Sequence, residues 1–199
     1  MATADALAPF LYLGNHPAID FVNTVIRRDD DLVDLLPEPP AFERWVAAAG
    51  LGSPPLNIDA QDFAEAKRLR KALRQLFVTW RRGEAPDASA LDSLNRVLLW
   101  RRRAPTLTVQ DGELRWMDEE HQISPRDVLL GLAEQAAQLL TRDDRQRLKA
   151  CGNDDCVLLF WDTSRNLSRR WCSMATCGNR SKVSRHYRRH RGSGSESVG

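Results

Sequence analysis

Cysteine is absent from the first 150 residues, so no disulfide framework can support that part of the chain. No apolar run approaches the ~20 residues that would cross a bilayer, which excludes a membrane-spanning helix. The opening residues, MATADALAPF, lack a basic stretch and a long apolar stretch, so no secretion signal is read there. Catalytic signatures are missing too: the chain has no GxSxG, no phosphate-binding GxxxxGK[ST] loop and no HExxH. His121 stands alone and reads as a surface or hairpin-edge residue. These absences predict a cytoplasmic protein that is not an enzyme.

What is present is ordinary in bulk and uneven in detail. The 199 residues are 42% hydrophobic and 28% charged, enough for one core and a small appended module. The net charge is only +2. Between Arg145 and Arg191, however, twelve basic residues stand against three acids, Asp154, Asp155 and Asp162, for a net +9. A mildly acidic part, residues 1–144, therefore precedes a strongly basic one, residues 145–191. Such a split predicts a polyanionic partner for the basic half. Gly192–Gly199 reads as a disordered Gly/Ser tail.

The acidic part reads as helical with one β-hairpin. Pro17 sits at a first helical position, followed by the stripe Ile19, Val22 and Ile26. A short helix from Ala41 to Ala49 stops at Gly50. Asp59 caps a helix carrying Phe63, Leu69, Leu73, Leu76, Phe77 and Trp80, with Gly83 past its end. Asp87 or Ser89 starts another, with Leu91, Leu94, Val97 and Leu98 facing inward. Asp111-Gly112 predicts a tight turn between Thr106–Gln110 and Glu113–Trp116. Ser124-Pro125 opens a helix carrying Val128, Leu129, Leu132, Ala136, Leu139 and Leu140. No internal repeat is read.

Two polar features interrupt this pattern. Asn15, Asp20 and Asn23 cluster around an apolar stretch, with Asp20 and Asn23 on one helix face. They either line a polar ligand pocket, or serve local ends: Asp20 favouring the helix N-terminus and Asn23 bonding nearby. Arg101-Arg102-Arg103 reads as a solvated helix end rather than a phosphate contact.

The four cysteines are Cys151, Cys156, Cys172 and Cys177, two CxxxxC pairs separated by fifteen residues. A disulfide pair, four isolated thiols and an iron–sulfur cluster are the competing readings. Paired spacing in a reducing setting favours one tetrahedral Zn²⁺ held by all four sulfurs. His186 and His190 have H-x₃-H spacing, but adopting them would leave Cys151 and Cys156 unused, so they are not read as ligands. Val157–Asp162 reads as a strand, Ser164–Arg170 as a polar turn, and the spacer as a hairpin between two knuckles. A helix is expected from Asn179 or Arg180 to Arg191, with Cys177 at its start. Lys182, Arg185, Arg188 and Arg189 share about a third of that helix's circumference at 3.6 residues per turn, with Val183 and Tyr187 opposite.

The runs LFWDTSRN (Leu159–Asn166), RRWCSM (Arg169–Met174), CGNR (Cys177–Arg180) and KVSRH (Lys182–His186) resemble the CGNR zinc-finger family. Its members usually carry an N-terminal ABATE domain beginning with a Gly-Asn-x-x-Leu-Asp-(Leu/Phe)-Val-Asn-Thr-like stretch, to which Gly14–Thr24 is similar. The resemblance implies four zinc cysteines and a transcription regulator.

The expected fold is mainly α with some β (α+β): a helical ABATE-like domain over 1–144, then a small treble-clef-like Cys₄ finger over 145–191. The expected function is zinc-dependent DNA binding, with Arg165, Arg169, Arg170, Arg180, Lys182, Arg185, Arg188 and Arg189 meeting phosphates. The N-terminal domain would then sense a signal, such as a small-molecule effector, or mediate assembly. Palindromic DNA would call for a homodimer. The alternative is a zinc-stapled protein–protein adaptor. Treble-clef nucleases are disfavoured, because they need a histidine in the hairpin and none lies between Cys156 and Cys172.

Overall fold

The computed structural model describes residues 10–100, 106–117 and 123–182. Eleven regular elements follow in order. They are α1 (Pro17–Val22), β1 (Val25–Arg28), β2 (Asp31–Asp34), α2 (Pro39–Ala48), α3 (Ala60–Arg82), α4 (Ala88–Leu98), β3 (Thr106–Gln110), β4 (Glu113–Met117), α5 (Pro125–Leu140), β5 (Leu148–Ala150) and β6 (Leu159–Trp161). A π-type turn, Met174–Gly178, continues as α-helix to Lys182, the last residue described. Arg101–Arg103, His121, the helix face bearing Arg185, Arg188 and Arg189, the histidines His186 and His190, and the tail 192–199 lie outside the described residues.

The chain forms two compact units, and they do not follow chain order. One is Leu36–Arg142; the other joins the chain up to Leu35 with the chain from Asp143 onward.

The Leu36–Arg142 unit is helical because its helices are well punctuated. Asp59 accepts from the Asp62 N–H at 2.7 Å and starts α3, which ends at Gly83 with φ 72°. Asp87 accepts from the Ala90 N–H at 2.8 Å and starts α4. Ser124 and Asp127 form a reciprocal capping box ahead of Pro125 on α5. The apolar faces of α2–α5 bury Phe42, Trp45, Leu69, Leu73, Phe77, Val97, Leu129 and Leu132. Leu91 departs from expectation: it is 40% exposed, because α4 turns only Ala90, Leu94 and Val97 into the core. The β3–β4 hairpin closes at Asp111-Gly112, both with positive φ, as the Asp-Gly signal predicts.

In the other unit, α1 is shorter than its apolar stripe suggested. It ends at Val22, and Ile26 lies on β1 instead. β1 pairs with β2 in a hairpin whose Asp29-Asp30 turn has φ 47° and 71°. Asp tolerates this left-handed region better than most residues, but no glycine announces the turn. The strand expected in Val157–Asp162 exists as β6. Its antiparallel partner is β5, with Leu148 opposite Trp161, and not the chain returning towards Cys172. The hairpin therefore straddles Cys151 and Cys156. No helix among the described residues is long and apolar enough to cross a membrane.

Candidate metal centre

The first cysteine pair lies in the β5–β6 connection. Cys151 follows β5 directly, and its N–H donates to Leu158 O at 2.9 Å. Cys156 closes a turn on Asn153 O at 2.9 Å. The second pair is held by Ser173, whose hydroxyl accepts from the Thr176 N–H at 3.3 Å and caps the turn Met174–Gly178. Helical structure thus begins before Cys177 rather than at it, and Cys177 lies within the turn. The two halves meet through Gly152 N–H to Arg170 O at 2.8 Å and Cys172 N–H to Cys151 Sγ at 3.4 Å.

All four Sγ atoms lie within 4.8 Å of one another. Cys156 and Cys172 sulfurs are 3.8 Å apart, and Cys172 and Cys177 sulfurs 3.6 Å. Tetrahedral Zn²⁺ with bonds of about 2.3 Å places its sulfurs roughly 3.8 Å apart, so the donor set fits the ion. No disulfide joins them.

Charge makes the same demand. Four thiols this close cannot all ionise without a cation. Hydrogen bonds from Cys156 and Cys172 hold the Cys151 thiol down to about 2. The bond to Cys151 pushes Cys156 up to about 12, and Cys172 is raised by its bonds to Cys151 and Cys156. Metal binding favours the thiolate form of cysteine ligands, which relieves this competition.

Trp171 is the wedge between the two halves. A Cβ on Gly178 would lie 2.5 Å from Met174 Sδ and 2.7 Å from Trp171 Cδ1. A Cβ on Gly152 would lie 3.0 Å from Arg170 O and 3.2 Å from Trp171 Cζ3. The repeated Cys-Gly-Asn of Cys151–Asn153 and Cys177–Asn179 leaves room for one indole on both sides. Leu158 and Phe160 complete the buried cluster around the cysteines, with Leu11, Leu13 and Ile26 packed against it.

The cations described between Arg145 and Lys182 divide into two sets. Arg147, Lys149 and Arg169 point inward at backbone. Arg147 donates to Asp162 O at 2.9 Å and Ser164 O at 3.3 Å. Lys149 donates to Asp162 Oδ2 at 2.7 Å, to Leu167 O, and to Arg169 O at 3.2 Å. Arg169 donates to Trp171 O at 3.0 Å, Leu13 O at 2.9 Å and Cys172 O at 2.5 Å, and lies over the Phe160 ring at 4.3 Å. Arg145, Arg165, Arg170, Arg180 and Lys182 are exposed. Of the eight expected phosphate contacts, Arg165, Arg170, Arg180 and Lys182 are therefore at the surface. Arg169 is held by carbonyls, and the other three lie outside the described residues.

Asp162, fully buried, organises the turn between β6 and Cys172. Its carboxylate accepts from Ser164 N–H and hydroxyl, Lys149 and the Arg169 N–H. Burial would raise its pKa, but Lys149 and Ser164 override that and hold it well below the usual carboxylate range. The sequence carries no cue for this role; an acid followed by a Ser two residues on is a common surface pattern.

Asn15, Asp20 and Asn23 are also brought to this unit, where each bonds backbone. Asn15 Nδ2 donates to Trp161 O at 3.1 Å. Asn23 Nδ2 donates to Leu159 O at 2.8 Å, and its Oδ1 accepts from the Leu159 N–H at 2.9 Å. Asp20 Oδ1 accepts from the Gly14 N–H at 2.7 Å. Burial pushes Asp20 up to about 6, against the lowering effect of Gly14, Leu13 and the Arg169 charge.

Comparison with known families matches residues 15–143 to the ABATE model, described as "putative stress-induced transcription regulator". Residues 147–190 match the CGNR zinc finger. The chain belongs to the ABATE family and carries a CGNR zinc finger. No curated protein matched the chain. In this ABATE protein the four cysteines hold one structural zinc ion.

Proposed function

We propose that this ABATE protein is a regulator that binds DNA through the exposed cations of its zinc-holding unit. The observation that supports this most is the sorting of charge. Three cations are engaged with backbone, while Arg145, Arg165, Arg170, Arg180 and Lys182 are left at the surface. Between Arg145 and Lys182 only Asp154 and Asp155 are exposed acids; Asp29, Asp30, Asp31 and Asp143 are exposed elsewhere in the unit. Phosphate binding by such a surface releases counterions and therefore weakens steeply with salt. Residues Arg185, Arg188 and Arg189, next along the chain, extend the same positive sequence.

Four cysteines close a tetrahedral metal and leave no position for substrate, so the reading is structural and not enzymatic. A small-molecule effector would act elsewhere than at Asn15, Asp20 and Asn23, whose amide and carboxylate groups bond backbone. Four cysteines gathered for a metal rather than for disulfides suit a cytoplasmic setting. A palindromic target would be read by two copies.

The test is fluorescence anisotropy of the zinc-loaded protein with duplex DNA across a salt series. Binding with a negative log K against log salt slope is expected. Replacing Arg170 and Lys182 together by alanine should reduce that slope by about 2, one for each phosphate no longer neutralised. Failure to bind at low salt overturns the proposal. One observation favours an adaptor as the second reading. A cavity of about 420 Å³ is lined by Trp171, Met174 and Gly178 beside Arg170 and Lys182, and Met174 is 61% exposed.

A further inference from the structure

β6 is the strand that follows the first pair of zinc ligands, and both its edges are paired. On one edge lies β5. On the other, no strand is present among the described residues. The Asn23 carboxamide takes its place, bonding both the N–H and the C=O of Leu159 at 2.9 and 2.8 Å. One residue pair along, Gly14 O accepts from the Trp161 N–H at 2.8 Å, and Asn15 donates to Trp161 O. The neighbouring Leu158 O is the acceptor for the Cys151 N–H. Asn23 thus reaches a zinc ligand through two residues of backbone.

Asp20 reaches another ligand by a second route. Its carboxylate holds Gly14 N–H, which fixes the chain carrying the Leu13 carbonyl. Leu13 O anchors the Arg169 guanidinium, and that same guanidinium grips Trp171 O and Cys172 O. Gly14 must be glycine for this approach: a Cβ would lie 2.7 Å from Ile19 Cγ2 and 2.9 Å from Asp20 Oδ1. Asp20 and Asn23 are 8% and 1% exposed, so neither is a surface group caught in passing.

We propose that Asn23 and Asp20 are positioning residues of the metal centre, Asn23 setting Cys151 through β6 and Asp20 setting Cys172 through Gly14, Leu13 and Arg169. They act as outer partners of a metal site do, holding ligand geometry without touching the ion. The Gly-Asn…Asp…Asn-Thr segment is then part of the zinc module, although more than 120 residues separate it from Cys151. The inference rests on the Cys₄ site alone and is independent of what the basic surface binds.

The test uses the full chain with Asn23→Ala, Asp20→Ala and Asp20→Asn, and Val22→Ala as a control. Val22 is fully buried on the same helix, and its side chain has no hydrogen-bonding group. Zinc affinity is measured by chelator competition, and ligand geometry by the absorption bands of the Co²⁺-substituted protein. Asn23→Ala and Asp20→Ala should weaken zinc by roughly 10–100-fold, the usual cost of losing an outer-shell partner, and shift the cobalt bands. Asp20→Asn keeps an oxygen acceptor for Gly14 and should recover most of the loss. Val22→Ala should lower stability with cobalt bands unchanged. Should Asn23→Ala not fold, Asn23→Asp keeps the acceptor for Leu159 N–H, loses the donor, and is expected to show the same band shift. Zinc affinity within twofold of the parent with unchanged bands overturns the proposal. So does Val22→Ala reproducing the band shift.

Discussion

Asp162→Asn isolates the charge at the centre of the turn between the cysteine pairs. The substitution preserves volume, so cavity effects are small. It removes the anion facing Lys149 Nζ at 2.7 Å and leaves that ammonium with the carbonyls of Leu167 and Arg169 only. It also turns a donor towards two of the four groups that now donate to the carboxylate, since each oxygen accepts from two of them. Breaking a buried ion pair by neutralising one partner costs about 3–5 kcal/mol. Asp162 is fully buried but the Lys149 side chain is 26% exposed, so the low end applies, about 3 kcal/mol. The assay is amide hydrogen exchange at Cys151 and Leu159 with excess zinc held constant. A loss of about 3 kcal/mol lowers protection by roughly a hundredfold where exchange follows unfolding of this unit. Lys149→Met and the double variant complete a cycle, and the coupling energy should be about 2 kcal/mol or more. Coupling below about 0.5 kcal/mol would refute the claim that this pair, rather than the backbone bonds around it, holds the turn.

Three further outcomes follow from the same geometry. Cys151→Ser should abolish stoichiometric zinc, read by elemental analysis of the purified chain; one ion retained per chain would sink the Cys₄ site. Gly178→Ala should destabilise the zinc-loaded protein by about 1–3 kcal/mol, because a Cβ there enters Trp171 and Met174; urea midpoints unchanged at equal slope would contradict the wedge. Asp20 has a folded pKa raised to about 6, above its unfolded value, so its contribution is full at low pH and lost as pH rises through about 6. Relative to Asp20→Asn, the parent should lose about 1 kcal/mol of stability between about pH 5 and 7, measured by urea unfolding at saturating zinc. Asp162 has the opposite sign: its folded pKa is depressed, so its contribution is lost only as pH falls below the usual carboxylate range and does not confuse that window.

The parts of this fold that the sequence announces are those settled within four residues. Asp59, Asp87 and Ser124 each cap by bonding an N–H three positions on, and Gly83 and Asp111-Gly112 act through their own φ. The cysteine quartet is legible for a related reason: each pair is local, and a metal joins pairs whatever lies between them. What stays hidden is non-local pairing. The strand in Val157–Asp162 is plain from its apolar content, but nothing in that run says that its partner precedes Cys151. The β1–β2 turn has no glycine to mark it. Asn23 is the sharpest case, since its partner is 136 residues away. Yet a trace of it is present in the helix. Ala18–Val22 are all buried, and Asn23 follows them on the same wall at 1% exposure. A buried carboxamide needs partners for its donors and its acceptor; carbonyls at the helix end could serve its donors, as Phe21 O serves the Thr24 hydroxyl, but they offer nothing to its oxygen. Local rules therefore require a partner for that oxygen without naming it, and a strand edge is backbone that offers both an N–H and a C=O.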